Sequence, residues 1–267
     1  MTVRIVRQKE WAFPPPPVRR EVVAATPAGP SDAPPLLFVP GFGHGAWAFA
    51  EHWLEHAAER GFPAYAMSLR GHGESGSAPK TGLRAYAHDV VQVAAGLPHQ
   101  AVLVGHGAAA LVVAMAMARY PAKAAVLVSP VFGGIGAAFS GLGRSPGLVL
   151  PAIFGRPVRP RRSLLFSREL LAADARAYAG RVGTATARAQ WQLATNRGPE
   201  EPVGNPPVLV VGSPDDKMIG RSALAKVAAR YAAAPLLFPG MGHDLMLDDR
   251  WQEPIDAILD WLDKPSS

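Results

Sequence analysis

The run Val102–Leu111 surrounds a position at which a reactive group is missing. A short apolar strand leads into Gly105-His106-Gly107-Ala108-Ala109, and a long helix rich in alanine, valine and methionine follows. This pattern is typical of a nucleophile elbow, the sharp strand-to-helix turn that presents the middle residue of G-x-S-x-G as the nucleophile. The middle residue here is Gly107, and no Ser, Thr or Cys stands between positions 105 and 110. The sequence therefore excludes a covalent intermediate at this turn.

Groups that can exchange protons follow two apolar runs late in the chain. Asp215 and Asp216 come soon after the run 208–211, and His243 comes soon after the run 236–238. An imidazole titrates close to neutral pH and can act as a general base or acid, while a carboxylate can fix its tautomer. Both residue types therefore suit proton transfer.

Apolar strands and helices alternate along most of the chain. The predicted strands are 36–39, 63–69, 101–105, 124–128, 208–211 and 236–238, and the predicted helices are 47–60, 83–95, 108–119, 221–231 and 251–262. Alternation at this spacing is typical of βαβ units, so we expect an α/β fold in which helices flank a mainly parallel sheet. The alternating segments 3–7 and 19–25 predict an antiparallel hairpin at the edge of that sheet.

The alternation stops in the middle of the chain. This stretch is rich in glycine, arginine and alanine and contains helical patterns at 168–178 and 185–194. We therefore expect a core domain formed by residues 1–130 and 206–267, with a helical cap (lid) at 131–205 that covers the active site. Apolar side chains of the cap predict an apolar pocket lining, and they are Phe139, Leu148, Leu150, Ile153, Phe154, Leu164, Leu165 and Trp191.

Length and composition fit one large domain. The chain has 267 residues, of which 49% are hydrophobic, and this is enough to bury a sizeable core. It has no cysteine, which excludes disulfides, thiolate nucleophiles and cysteine metal sites. The first residues lack the apolar core of a signal peptide, and the absence of cysteine fits the cytosol, so we expect a cytoplasmic protein; a secreted enzyme without disulfides is the alternative. His106 and its flanking glycines interrupt the uncharged stretch 101–118, so we expect a strand, a turn and a helix there rather than a membrane span.

The net charge and the motifs of the chain limit the kinds of partner that we expect it to bind. The net charge is +6, and a basic cluster is formed by Arg156, Arg159, Arg161, Arg162 and Arg168. Such a cluster suits either an acidic partner or a solvated loop, and we favour the loop. No zinc-ligand spacing, helix-turn-helix pattern or aromatic ladder supports nucleic-acid binding. No glycine-rich phosphate fingerprint stands between a strand and a helix, so we expect no cofactor. We expect no metal either. The sequence leaves the oligomeric state open.

Five segments of the chain together resemble the α/β-hydrolase superfamily, in particular its esterase and lysophospholipase-like members. They are Val39–Gly45, Ser68–Ser75, the turn at Gly107, Gly212–Ile219 and Gly240–Asp248. Each is weak alone, but they stand in the family's order and cover nearly the whole chain outside the insertion. The resemblance implies an α/β-hydrolase fold. It also aligns Gly107, Asp216 and His243 with the family's nucleophile, acid and histidine, in that order.

The resemblance implies a role for each residue around the elbow. His243 would act as general base and acid, and Asp216 would orient its imidazole. Asp216 is preferred because the residues after it fit the family's continuation, although Asp215 stays an alternative. The backbone N–H groups of Phe42 and Ala108 would form the oxyanion hole, with help from the helix N-terminus.

Other polar residues near these segments receive secondary roles. His44 and His106 flank the site, so we expect them to line the substrate-binding pocket or to pack beside it. His72 lies in a turn that it is expected to stabilise, as in the family. Ser129 ends the strand after the elbow helix, but it lacks the elbow's geometry, so we do not expect it to replace the missing nucleophile.

The sequence leaves three functions open. The first is an enzyme without covalent catalysis, in which the histidine and aspartate activate water or move a proton in an elimination, cyclisation, decarboxylation or isomerisation. The second is a serine esterase or lipase whose nucleophile was replaced by glycine in the laboratory, a change that costs on the order of 10⁶ in turnover. The third is a ligand-binding protein without catalysis. The retained histidine and aspartate favour the first, with an apolar carbonyl or ester compound of medium size as substrate.

Overall fold

A seven-stranded sheet forms the centre of the molecule. The computed structural model describes residues 14–134 and 158–264. The strands are β1 Val22–Ala25, β2 Leu36–Val39, β3 Ala64–Met67, β4 Val102–His106, β5 Ala124–Val128, β6 Val208–Gly212 and β7 Leu236–Leu237. Their spatial order is β1-β3-β2-β4-β5-β6-β7, in which β1 pairs antiparallel with β3 and every other neighbouring pair is parallel. This confirms the predicted α/β fold with a mainly parallel sheet.

The central strands form where the apolar runs are continuous. Every residue of β2, β4, β5 and β6 is buried, as expected for strands that are covered on both faces. Alternate side chains enter different cores, since Leu36 and Phe38 pack in one core while Leu37 and Val39 pack in the other. The sheet is therefore a rigid platform between two apolar layers.

Helices form those two layers. They are α1 Trp47–Ala50, α2 Trp53–Glu59, α3 Leu83–Ala95, α4 Ala109–Met117, α5 Arg162–Leu165, α6 Ala172–Arg181, α7 Ala187–Thr195, α8 Arg221–Arg230 and α9 Gln252–Leu262. The prediction of one helix over 47–60 is wrong, because α1 and α2 are separate. His52 leaves the helical conformation, with φ −141°, and its ring stacks on Trp251 at a centroid distance of 4.6 Å. A helical pattern carries no information about such a distant contact.

The predicted edge hairpin is described only in part. Its first segment, 3–7, lies outside the described residues. Its second segment contains β1, which pairs with β3 in the register Val22↔Met67. The other predicted strands and helices coincide with observed ones to within a few residues at each end.

The helices α5, α6 and α7 belong to the stretch 131–205, and they contact loops at the carboxyl ends of the strands. The N–H of Gly183 donates to the carbonyl of Gly43 at 2.7 Å, and the N–H of Asp244 donates to the carbonyl of Leu165 at 3.0 Å. The cap and its boundaries remain predictions, and five of its expected lining residues, 139 to 154, lie outside the described residues. Within the two described ranges, no helix is long and apolar enough to cross a membrane.

Candidate active site

The candidate site forms where the carboxyl ends of the parallel strands meet. The loop after β2 carries Phe42, and β4 runs directly into Gly107. The turn after β6 carries Asp216, and the loop after β7 carries His243. The structure thus brings together the residues that the sequence assigns to the oxyanion loop, the elbow, the acid and the base.

His243 and Asp216 form a buried hydrogen-bonded pair. Nδ1 of His243 lies 2.7 Å from a carboxylate oxygen of Asp216, and both side chains are almost completely buried. The other carboxylate oxygen of Asp216 accepts hydrogen bonds from the N–H groups of Met218 and Ile219, at 2.7 and 3.0 Å. These bonds fix the carboxylate, so the imidazole is held with Nε2 free of Asp216.

Gly107 lies directly opposite that free ring nitrogen. Its φ is +53°, and its N–H donates to the carbonyl of Val128 at 2.9 Å. A β-carbon built on Gly107 would lie 3.2 Å from Nε2 of His243 and 3.9 Å from the α-carbon of Gly41. Position 107 therefore faces the pair in the way that a nucleophile would.

The predicted oxyanion donors lie on both sides of this position. Ala108 immediately precedes α4, at the end of the helix where N–H groups lack intrahelical partners. Phe42 is held by its ring, which packs against Tyr86 at a centroid distance of 5.5 Å. Among the described residues, none accepts a hydrogen bond from the N–H of Phe42 or of Ala108. Both N–H groups are thus able to bind an oxygen atom of a ligand.

The environment of His243 makes it a stronger base. Burial lowers the pKa of His243, but the charge of Asp216 and the hydrogen bond to it raise the pKa more, and Asp244 adds to the rise. The pKa therefore lies above the ordinary value of an imidazole. A ring with a raised pKa takes up a proton more readily, which suits proton abstraction.

A second group of buried polar side chains lies against this pair. Nε2 of His44 lies 2.9 Å from one carboxylate oxygen of Asp244, and Nε2 of His106 lies 3.3 Å from the other. Burial lowers the pKa of His106 to about 3, so its ring is neutral at ordinary pH. The placement of His44 and His106 at a substrate pocket stays a prediction. Sequence reasoning missed Asp244, although its position directly after His243 is a signal that could have found it.

Nitrogen and oxygen atoms from His106, His243 and Asp244 lie within 4.8 Å of one another. Two imidazoles and a carboxylate form a donor set that zinc and iron accept. Each of the three also has a partner within the protein, since Asp216 binds Nδ1 of His243, His44 binds Asp244, and Nε2 of His106 lies 3.3 Å from the main-chain oxygen of His243.

Other residues singled out in the sequence have local partners. Nδ1 of His72 lies 3.2 Å from the carbonyl oxygen of Arg70, within its turn. Ser129 is buried with φ +43°, and its hydroxyl has no hydrogen-bond partner among the described residues. Arg159 donates to the carbonyls of Ala179 and Gly180 at the end of α6, while Arg156 lies outside the described residues.

A family model described as the alpha/beta hydrolase family matches residues 36–259, from β2 into α9. This chain belongs to that family. The matched range includes Gly107, Asp216 and His243. Comparison with curated proteins gives no match.

Solved structures with the same fold cover nearly the whole of this alpha/beta hydrolase. A monoacylglycerol lipase from Paleococcus ferrophilus is 18% identical with a TM-score of 0.67, over 92% of this chain and 98% of that one. A soluble variant of monoglyceride lipase from Saccharomyces cerevisiae is 14% identical with a TM-score of 0.69, over 94% and 92%. An esterase from Exiguobacterium antarcticum is 15% identical with a TM-score of 0.67, over 92% and 96%. At these identities the likeness shows the fold alone.

Proposed function

We propose that this alpha/beta hydrolase is an enzyme that performs acid–base chemistry without a covalent intermediate. His243 is the base, Asp216 orients it, and the N–H groups of Phe42 and Ala108 bind the developing oxyanion. The substrate is an apolar ester or carbonyl compound. One observation carries the proposal: Asp216 holds His243 at 2.7 Å while Nε2 faces position 107, 3.2 Å from where a β-carbon would stand.

Hydrolysis by direct attack of water fits this geometry. A water oxygen close to Gly107 lies within hydrogen-bond reach of Nε2 of His243, because no side chain occupies that point. His243 takes one proton while the water oxygen bonds to the carbonyl carbon, and the carbonyl oxygen becomes an oxyanion held by backbone N–H groups. When the tetrahedral intermediate collapses, the protonated ring gives its proton to the leaving alkoxide. The products are an acid and an alcohol.

The same base serves a second reaction class. If the substrate places an acidic C–H group beside Nε2 of His243, the ring removes that proton and the N–H groups stabilise the enolate oxygen. Elimination, isomerisation or cyclisation then follows from the carbanion. The two classes share every residue of the site, so they are distinguished by probes rather than by variants.

Two chromogenic probes test the proposed base. p-Nitrophenyl butyrate reports ester hydrolysis, and 5-nitrobenzisoxazole reports proton abstraction from carbon. On at least one of them we expect the unchanged chain to turn over about 10²- to 10⁴-fold faster than the His243→Ala variant, which is the usual contribution of a general base. His88→Ala is the matched control, because His88 lies on α3, is absent from the contacts of the site, and its loss should leave the rate unchanged. Equal rates for the unchanged chain and His243→Ala on both probes contradict the proposal and favour a binding protein.

The Gly107→Ser variant distinguishes an enzyme that works without a nucleophile from a serine esterase that has lost its serine. A fluorophosphonate probe should label this variant at position 107 and leave the unchanged chain unlabelled, since only an activated hydroxyl reacts. Under the proposal, the unchanged chain shows turnover of its own without a burst of p-nitrophenol. An inert unchanged chain combined with a Gly107→Ser variant that gains on the order of 10³-fold or more identifies a serine esterase that has lost its nucleophile.

A further inference from the structure

The carboxylate of Asp244 is completely buried next to the proposed base. A buried carboxylate is costly unless hydrogen-bond donors stabilise it. His44 supplies such a donor at 2.9 Å on one oxygen, and His106 lies 3.3 Å from the other. An apolar residue at this position would avoid that cost altogether.

The members of this cluster come from the loops that build the site. His44 lies in the loop after β2, which also carries Phe42, and His106 directly precedes the elbow glycine. Nε2 of His106 also lies 3.3 Å from the main-chain oxygen of His243. Asp244 therefore connects the loop of the base with the oxyanion loop and with the elbow.

We propose that Asp244 is a positioning residue, which holds the base loop against the other two loops through His44 and His106 and keeps a negative charge behind the imidazole of His243. This inference rests on the proposed function, because Asp244 has this role only if His243 is the base. Two carboxylates then act on one imidazole. Asp216 acts by direct contact, and Asp244 acts through space and through the fold of the loop.

The groups around His243 keep the carboxyl group of Asp244 ionised. The titratable side chains that face His243 are Asp216, Asp244 and His106, whose ring centroid lies 5.0 Å away. Burial opposes ionisation of Asp244, but the neighbouring imidazoles, His44 first, outweigh it and lower the pKa of the carboxyl. Burial keeps His106 neutral, and its Nε2 donates to the main-chain oxygen of His243 at 3.3 Å, so His106 does not cancel the charge of Asp244.

Asp248 offers a matched control in the same loop. Its carboxylate is equally buried and accepts hydrogen bonds from the N–H and hydroxyl groups of Ser167, at 3.1 and 2.6 Å, and from the N–H of Gly242. His243 is not among these partners. Asp248→Asn therefore removes a buried charge from the same loop at a side chain that bonds to neither His243 nor Asp244.

The decisive experiment is an NMR titration of ¹⁵N-labelled histidines with a chelator present. Asp244→Asn keeps the shape of the side chain and an acceptor oxygen for His44, but it removes the charge. We expect it to lower the pKa of His243 by about one unit, while Asp248→Asn changes it by less than roughly 0.3 unit. Loss of the signal in His243→Ala assigns the resonance. An unchanged pKa of His243 in Asp244→Asn overturns the proposal.

Tautomers in the unchanged chain give a second test, which applies even if Asp244→Asn fails to fold. The geometry requires the proton of His44 and of His106 to be on Nε2, where each ring faces Asp244. A proton on Nδ1 of His44 overturns the proposal. Neither measurement uses a substrate. A lowered pKa of His243 together with failed turnover assays therefore rejects the proposed function and retains the electrostatic coupling.

Discussion

Gly107 occupies a backbone conformation that few residues accept. Its φ of +53° is left-handed, and a β-carbon would approach Nε2 of His243 to 3.2 Å. We expect Gly107→Ala to lower the free energy of unfolding by about 1–2 kcal/mol, because the left-handed conformation strains alanine and the methyl group presses on the imidazole. Urea denaturation followed by circular dichroism measures this loss.

Gly180→Ala is the matched control for that substitution. Gly180 lies in α6, and a β-carbon there meets no atom within 4 Å. Because alanine is the better helix former, the free energy of unfolding should rise by up to about 1 kcal/mol. A similar loss at both positions would show that the effect at Gly107 is not local strain.

The choice between Asp215 and Asp216 illustrates what the sequence leaves undecided at this scale. The order of the segments along the chain predicts the turn that carries the proposed acid, but two adjacent carboxylates fit it. In the structure Asp216 points inward to His243, while Asp215 accepts a hydrogen bond from the N–H of Gly240 at 2.7 Å. Side-chain direction depends on these tertiary bonds, and a linear pattern does not contain them.

At the scale of elements, the loop after β2 that carries Phe42 is attached to the end of α6 and to the segment that follows it. The carbonyl of Gly43 accepts the N–H of Gly183, and Arg181 lies over the ring of Trp47 in α1 at 4.1 Å. A β-carbon on Gly43 would meet the carbonyl oxygen of Gly183 at 2.6 Å, and φ there is +85°. We expect Gly43→Ala to separate the two segments and to speed amide hydrogen exchange over 182–195 by at least about tenfold.

The reverse substitution is the control. A β-carbon on Gly183 would lie 3.6 Å from the carbonyl oxygen of Gly43, an ordinary contact. Gly183→Ala should therefore leave exchange in 182–195 near the value of the unchanged chain. Fast exchange in both variants, or in neither, would mean that the contact between Gly43 and Gly183 does not hold this segment.

Strands and helices were predictable from the sequence where the burial of their side chains determines the pattern of apolar residues. The central strands are covered on both faces, so they appear as unbroken apolar runs, and β5 has the predicted bounds 124–128. The separation of α1 from α2 occurs instead at His52, whose ring stacks on Trp251. Helical periodicity is a property of one segment of the sequence, so it cannot reveal a contact with a residue of another element.

For the whole molecule, histidines whose pKa is lowered by full or partial burial predict sensitivity to acid. Burial lowers the pKa of four histidines, and they are His52, His72, His88 and His106. Between their folded and ordinary pKa values the unfolded chain binds more protons, so stability falls as the pH falls through this window. His243 has a raised pKa and opposes the trend, but it is one group against four.

We therefore expect the free energy of unfolding to fall from about pH 7 to about pH 5, by up to about 1.4 kcal/mol per pH unit for the fully buried His106 once the pH is below its ordinary pKa. Urea titrations at several pH values measure the slope. His72→Gln removes one contributor outside the site, so its slope should be shallower. Stability that stays constant or increases between these pH values would contradict the assignment of neutral buried histidines.

The geometry around Gly107 also has a genetic consequence. A glycine codon that ends in a pyrimidine becomes a serine codon through one base change, and a side chain at this position would meet Nε2 of His243 without any other substitution. One point mutation would therefore place a hydroxyl group beside the proposed base.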